Sequence, residues 1–100
     1  PYQDYITPSD LAVKQLSDNV NGRVEAYNVA VDWVWVSDAT LNEEDEKWLM
    51  PHTFLVDTSH YPTNPAKSRE ASDCEEQANT LVSLLRTEGV EAENVRVVLD

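Results

Sequence analysis

Apolar residues recur at helical spacing most regularly between Ser72 and Arg86. Cys74, Ala78, Leu81, Val82 and Leu85 fall at i, i+4, i+7, i+8 and i+11, which is one face of an α-helix. Ser72, with Glu75 three residues on, forms a capping box: the serine oxygen takes a first-turn N–H and the glutamate reaches back to the Ser72 amide. Arg86 suits the negative end of the helix dipole, and Gly89 supplies a left-handed cap. The spacing predicts a helix over 72–86 that carries Cys74 in its first turn and packs its apolar face inward.

Upstream, Leu11, Ala12, Val13, Leu16 and Val20 predict a helix that starts near Thr7-Pro8-Ser9-Asp10 and ends by Asn19, ahead of the Asn21-Gly22 turn signal. Residues 23–36 fit two periods. Val24, Tyr27, Val31, Val34 and Trp35 suit a helix, whereas Val29, Val31, Trp33 and Trp35 alternate as a strand does. The expectation is a helix from Arg23 to Trp33 that relaxes into extended chain by Val36, with its tryptophans in the core. Ser37 to Lys47 reads as a polar, acidic connection, and Trp48 to Val56 as one or two helical turns after Pro51. Asp57 to Ala71 is irregular, broken by Pro62 and Pro65. A loop of that length before a candidate nucleophile reads equally as the wall of a site or as a surface excursion. Asn94 to Leu99 reads as a strand.

Composition narrows the classes. One hundred residues with 41% hydrophobic and 26% charged residues suffice for one small domain. Pro1 stands where an initiator methionine would, and the last strand runs out at Asp100. The expectation is therefore a single, truncated domain over 1–100, with its compartment left open. The net charge of −12 repels phosphate backbones and anionic lipid, so neither nucleic acid nor membrane is an expected partner. The run Glu43-Glu44-Asp45-Glu46 lacks the alternating ligands and central glycine of an EF-hand loop, so neither metal nor cofactor is expected. One cysteine excludes an internal disulfide and a thiolate zinc cluster.

That leaves the thiol itself. A helix N-terminus lowers a thiol pKa, but Asp73, Glu75 and Glu76 add negative charge beside Cys74 and oppose thiolate formation. Of the two histidines, His52 and His60, either could serve as a base only if the fold brought it to Cys74, since catalytic triads are set by geometry and not by order.

Taken together, Ser72-Asp73-Cys74 opening a helix, the Leu-rich stripe, Leu84-Leu85-Arg86, the Gly89-Val90 break and Val95-Arg96-Val97-Val98 resemble the core of the transglutaminase-like superfamily. They are most similar to its uncharacterised archaeal and bacterial members. The family's usual Gly-Asp-Cys is Ser-Asp-Cys here. Trp48 to Leu55 is similar to the family's Trp-x-x-Pro element, and Tyr27 to Trp35 to its Asp-Trp-Val helix. The resemblance implies an α+β, papain-like fold. In it, helices precede the start of an antiparallel sheet whose first strand would be Val95–Leu99. It also implies that Cys74 is the nucleophile, with a histidine and an aspartate beyond Asp100. Trp48 is a candidate oxyanion donor by position. The expected function is acyl transfer or amide hydrolysis through a Cys74 thioester on a protein or peptide substrate, inactive in residues 1–100 alone. The alternative is a non-catalytic peptide-binding domain on the same scaffold. An unpaired edge of the terminal strand would then offer a route to self-association.

Overall fold

Asp10 closes the open end of the first helix, its carboxylate accepting the Ala12 and Val13 amides at 2.9 and 3.2 Å. This cap places α1 at Leu11–Asp18, so Thr7-Pro8 lies outside the helix. A computed structural model describes residues 2–43, 47–95 and 97. After α1 come α2 (Gly22–Val31), β1 (Val34–Trp35), α3 (Asp38–Asn42), α4 (Pro51–Asp57), β2 (Ala71–Ser72) and α5 (Cys74–Thr87). Short 3₁₀ turns cover Tyr2–Tyr5, Thr58–His60 and Ala92–Asn94.

Helices dominate. α5 is the hub, packed by α1, α2 and α4, with α1 also against α4. The described sheet is one two-stranded parallel pair, with Val34 opposite Ala71 and Trp35 opposite Ser72. The Val34 amide donates to Glu70 O at 3.0 Å, and the Val36 amide to Ser72 O at 2.8 Å. A parallel pair needs a crossover, and residues 36–70, which include α3 and α4, provide it. The expected antiparallel sheet, which was to begin at Val95–Leu99, is not seen among the described residues. Ala92–Asn94 forms a 3₁₀ turn and Val95 is extended, while residues 96 and 98–100 lie outside the described residues. The mixed, helix-rich class is observed.

Two packing expectations change. The helix start moves one residue: Asp73 is the N-cap and accepts the Glu75 amide at 3.3 Å. Ser72 is instead buried in β2, its hydroxyl donating to Asp73 O at 2.9 Å. The helix begins at Cys74, so Asp73 holds the cap position, and the Ser72 hydroxyl is committed to the Asp73 carbonyl. The inward face of α5 also differs. Glu76, Asn79, Thr80, Val82, Ser83 and Leu84 are buried, whereas Ala78, Leu81 and Leu85 are half-buried and Cys74 is exposed. Backbone groups of the N-terminal segment reach the polar side of that face. The Thr7 amide donates to Ser83 Oγ at 2.9 Å, and Thr87 donates to Pro8 O at 2.5 Å. Ser83 and Glu76 are buried where they bind amides that have no helical partner, those of Thr7 and Leu49. The expected stop is observed, with Gly89 at φ +103, in the left-handed region.

The tryptophans divide. Trp33 is buried edge-on to Phe54, with ring centroids 5.1 Å apart, whereas Trp35 is 62% exposed. β1 is too short and too little covered to bury both faces of its run. Val24, Tyr27 and Val31 of α2 are likewise exposed, and Ala26 is the residue of that helix in the core.

Candidate functional site

The residues around Cys74 come from four places in the chain. β2 ends at Ser72, Asp73 caps α5, and Cys74 is the first helical residue. Gln77, one turn on, donates from Nε2 to Val34 O at 3.0 Å and Ser72 O at 3.3 Å, which fastens α5 to the end of the sheet. Glu76 accepts the Leu49 amide at 3.1 Å through Oε2, and so holds the chain just before α4 against the first turn of α5. Asp38, the first residue of α3, is buried, accepts the Lys47 amide at 2.8 Å and takes Asn42 Nδ2 at 3.3 Å.

These contacts gather carboxylates. Oxygens of Asp38, Asp73 and Glu76 lie within 4.8 Å of one another. Like charges that close favour the neutral form of at least one member. Asp73 responds most: burial, hydrogen bonding with Glu75 and Glu76, and the Glu76 charge push its carboxyl up to about 9. Glu76 is also raised, chiefly by burial, while bonds from Asp73 and the Leu49 amide offset part of the rise. Glu75 moves the other way, because the Asp73 carboxyl hydrogen-bonds to it and holds it ionised.

Glu75 is thus a retained charge beside the sulfur, and Cys74 Sγ lies 3.8 Å from Glu75 Oε2. The thiol is pushed above its ordinary value, first by partial burial, then by the charges of Glu75 and Asp73; a backbone hydrogen bond opposes the shift. The residue as a whole is exposed, so the two carboxylates are the part of this effect that a substitution can remove. The helix terminus does not prevail over its own acidic first turn.

The other sequence candidates sit elsewhere. His52, at the start of α4, directs Nδ1 to Asp10 Oδ1 at 2.9 Å and links α4 to the cap of α1. His60 ends the 3₁₀ turn after α4 and is exposed. Among the described residues, neither bonds to Cys74. Trp48 is half-buried and packs edge-on to Tyr5, with centroids 5.2 Å apart. It adjoins Leu49, the residue tied to Glu76.

Asp38, Glu76 and Gln77 were not candidates from the sequence. Glu76 figures there only as a charge beside Cys74, and Gln77 carries no local signal. Only Ser37, an N-cap whose hydroxyl accepts the Thr40 amide at 3.2 Å, hints that a helix places Asp38. No helix is long and apolar enough to cross a membrane among the described residues. No family model matches the chain, and no curated protein or solved structure is significantly similar to it.

Proposed function

We propose that this chain carries the nucleophile of a transglutaminase-like cysteine enzyme, with Cys74 as the attacking thiol. The carrying observation is the placement of Cys74 as an exposed residue at the first position of a 14-residue helix whose first turn is pinned to both the sheet end and the Leu49 chain. In this reading the Cys74 thiolate attacks a carboxamide or peptide carbonyl, forms a C–S bond and expels ammonia or an amine. A second amine or water then cleaves the thioester and releases the thiol. A raised thiol cannot begin this unaided, because the thiolate is the nucleophile. The base is a histidine which the resemblance puts after Asp100, with an aspartate to orient it. Trp48 stays in the reading as an oxyanion donor through its place beside Leu49.

The raised thiol favours a second reading, a non-catalytic peptide-binding domain on this scaffold. One experiment separates the two. In a chain that carries this histidine after Asp100, iodoacetamide at pH 6.5 should alkylate Cys74 at least about tenfold faster than in residues 1–100, because each pKa unit is worth about tenfold in thiolate. Incorporation of a fluorescent amine into a glutamine-bearing protein should also vanish in Cys74→Ala. Equal alkylation rates would favour the binding domain.

A further inference from the structure

We infer that Asp38, Asp73 and Glu76 form a divalent-cation site of calcium type that clamps α3 to the start of α5. Their three carboxylate oxygens converge to within 4.8 Å of one another from separate parts of the chain. Oxygens that share one calcium at about 2.3–2.6 Å lie no more than about 5 Å apart, and these three meet that limit.

A cluster of acids alone would say little, since acidic residues abound here. The second observation is Glu76 Oε1. Glu76 is 1% exposed, its Oε2 is committed to the Leu49 amide, and its Oε1 is buried with no hydrogen-bond partner. A buried oxygen left in this way is costly, because desolvation is not repaid by a bond. A cation bridging to Asp38 and Asp73 would supply the missing partner. The remaining oxygens fit this division of labour. Asp38 spends its two on the Lys47 amide and the Asn42 side chain, which orient it, and Asp73 Oδ1 takes the Glu75 amide. Carboxylate oxygens keep a second lone pair for a metal after accepting one such bond. An all-oxygen set selects hard ions. Three protein carboxylates in a half-closed setting favour calcium over magnesium, which dehydrates reluctantly and keeps several waters.

The site would join the first residue of α3, the cap of α5 and its first turn, so occupancy would stiffen the segment that presents Cys74. This role does not depend on Cys74 being a nucleophile.

Calorimetric titration of the chain with calcium chloride, and separately with magnesium chloride, tests it. One calcium per chain is expected, binding at least about tenfold more tightly than magnesium, with a Tm that rises with calcium concentration as linkage requires. Glu76→Gln and Asp38→Asn keep side-chain shape and should each weaken calcium binding at least about tenfold, whereas the exposed Glu91→Gln should leave it unchanged. No heat and no Tm shift with the unaltered chain would overturn the inference whatever the variants do. Equal binding by Glu76→Gln would also overturn it, by placing the ion on scattered surface carboxylates.

Discussion

Phe54→Ala should remove about 3–5 kcal/mol of folding stability, the usual cost of emptying a large aromatic site in a core. Phe54 is fully buried in α4 and meets Trp33 edge-on at 5.1 Å, with ring planes 89° apart. Its loss therefore forfeits apolar burial, leaves a cavity and strips one face of Trp33. A domain of this size holds only about 5–15 kcal/mol in total. At roughly 4–8 °C per kcal/mol, Tm should fall by about 12 °C or more. Trp35→Ala is the control. That ring is 62% exposed, and its removal should cost no more than about 0.5 kcal/mol. Urea denaturation of both variants decides the matter. A loss under about 1 kcal/mol for Phe54→Ala would mean that α4 is not part of the core.

The second large effect lies in the segment that the sequence left irregular. Asn64 is 1% exposed, and its side chain replaces missing secondary structure. Nδ2 donates to Thr58 O and Arg69 O, both at 2.8 Å, and Oδ1 accepts the Ala66 amide at 2.8 Å. Thr58 extends the network, donating to Phe54 O at 2.7 Å and accepting the Ala71 amide at 3.1 Å. The end of α4 is thereby joined to β2, and β2 leads into Cys74. Asn64→Ala leaves the Arg69 carbonyl and the Ala66 amide without partners, and Thr58 O with only the Tyr61 amide; at about 1–2 kcal/mol for each orphaned group, a loss of about 2–4 kcal/mol is expected. Hydrogen exchange should quicken at the Ala71 amide, and at Val36, which bonds to Ser72. A loss below about 0.5 kcal/mol with unchanged exchange would show that the loop is held by something else.

These two sites mark what was readable in advance. α1, α2, α4 and α5 were legible because each carried a local signal, a run of period 3.6, a cap or a proline at the start, whereas α3 lies inside the stretch read as a polar connection. The break near Val34 and the turns after Pro51 were legible for the same reason. Which face each helix buries was not. Cys74 lies on the apolar stripe of α5 and is exposed, while Glu76 and Ser83 lie off it and are buried, because the Leu49 and Thr7 amides, far along the chain, bond to them. Asn64 looked like a loop breaker, yet it is the residue that organises the loop. The β1–β2 pair was invisible, since two residues carry no periodicity and the pairing is set by the crossover. At the site, local charge was enough to foresee that acids beside Cys74 oppose its thiolate. The gathering of Asp38 with Asp73 and Glu76 needed the fold, because nothing local links α3 to α5.

Cys74 stands exposed at the first helical position of α5, yet its own surroundings push its thiol up and so favour the neutral form. The one cysteine makes the test unambiguous. The rate of iodoacetamide alkylation should be followed across pH 6 to 11 on the folded chain and on Glu75→Gln. The midpoint should lie above the ordinary thiol value of about 8.5 and move downward when Glu75 loses its charge. A midpoint below that value in the unaltered chain, or one that Glu75→Gln leaves in place, would contradict it.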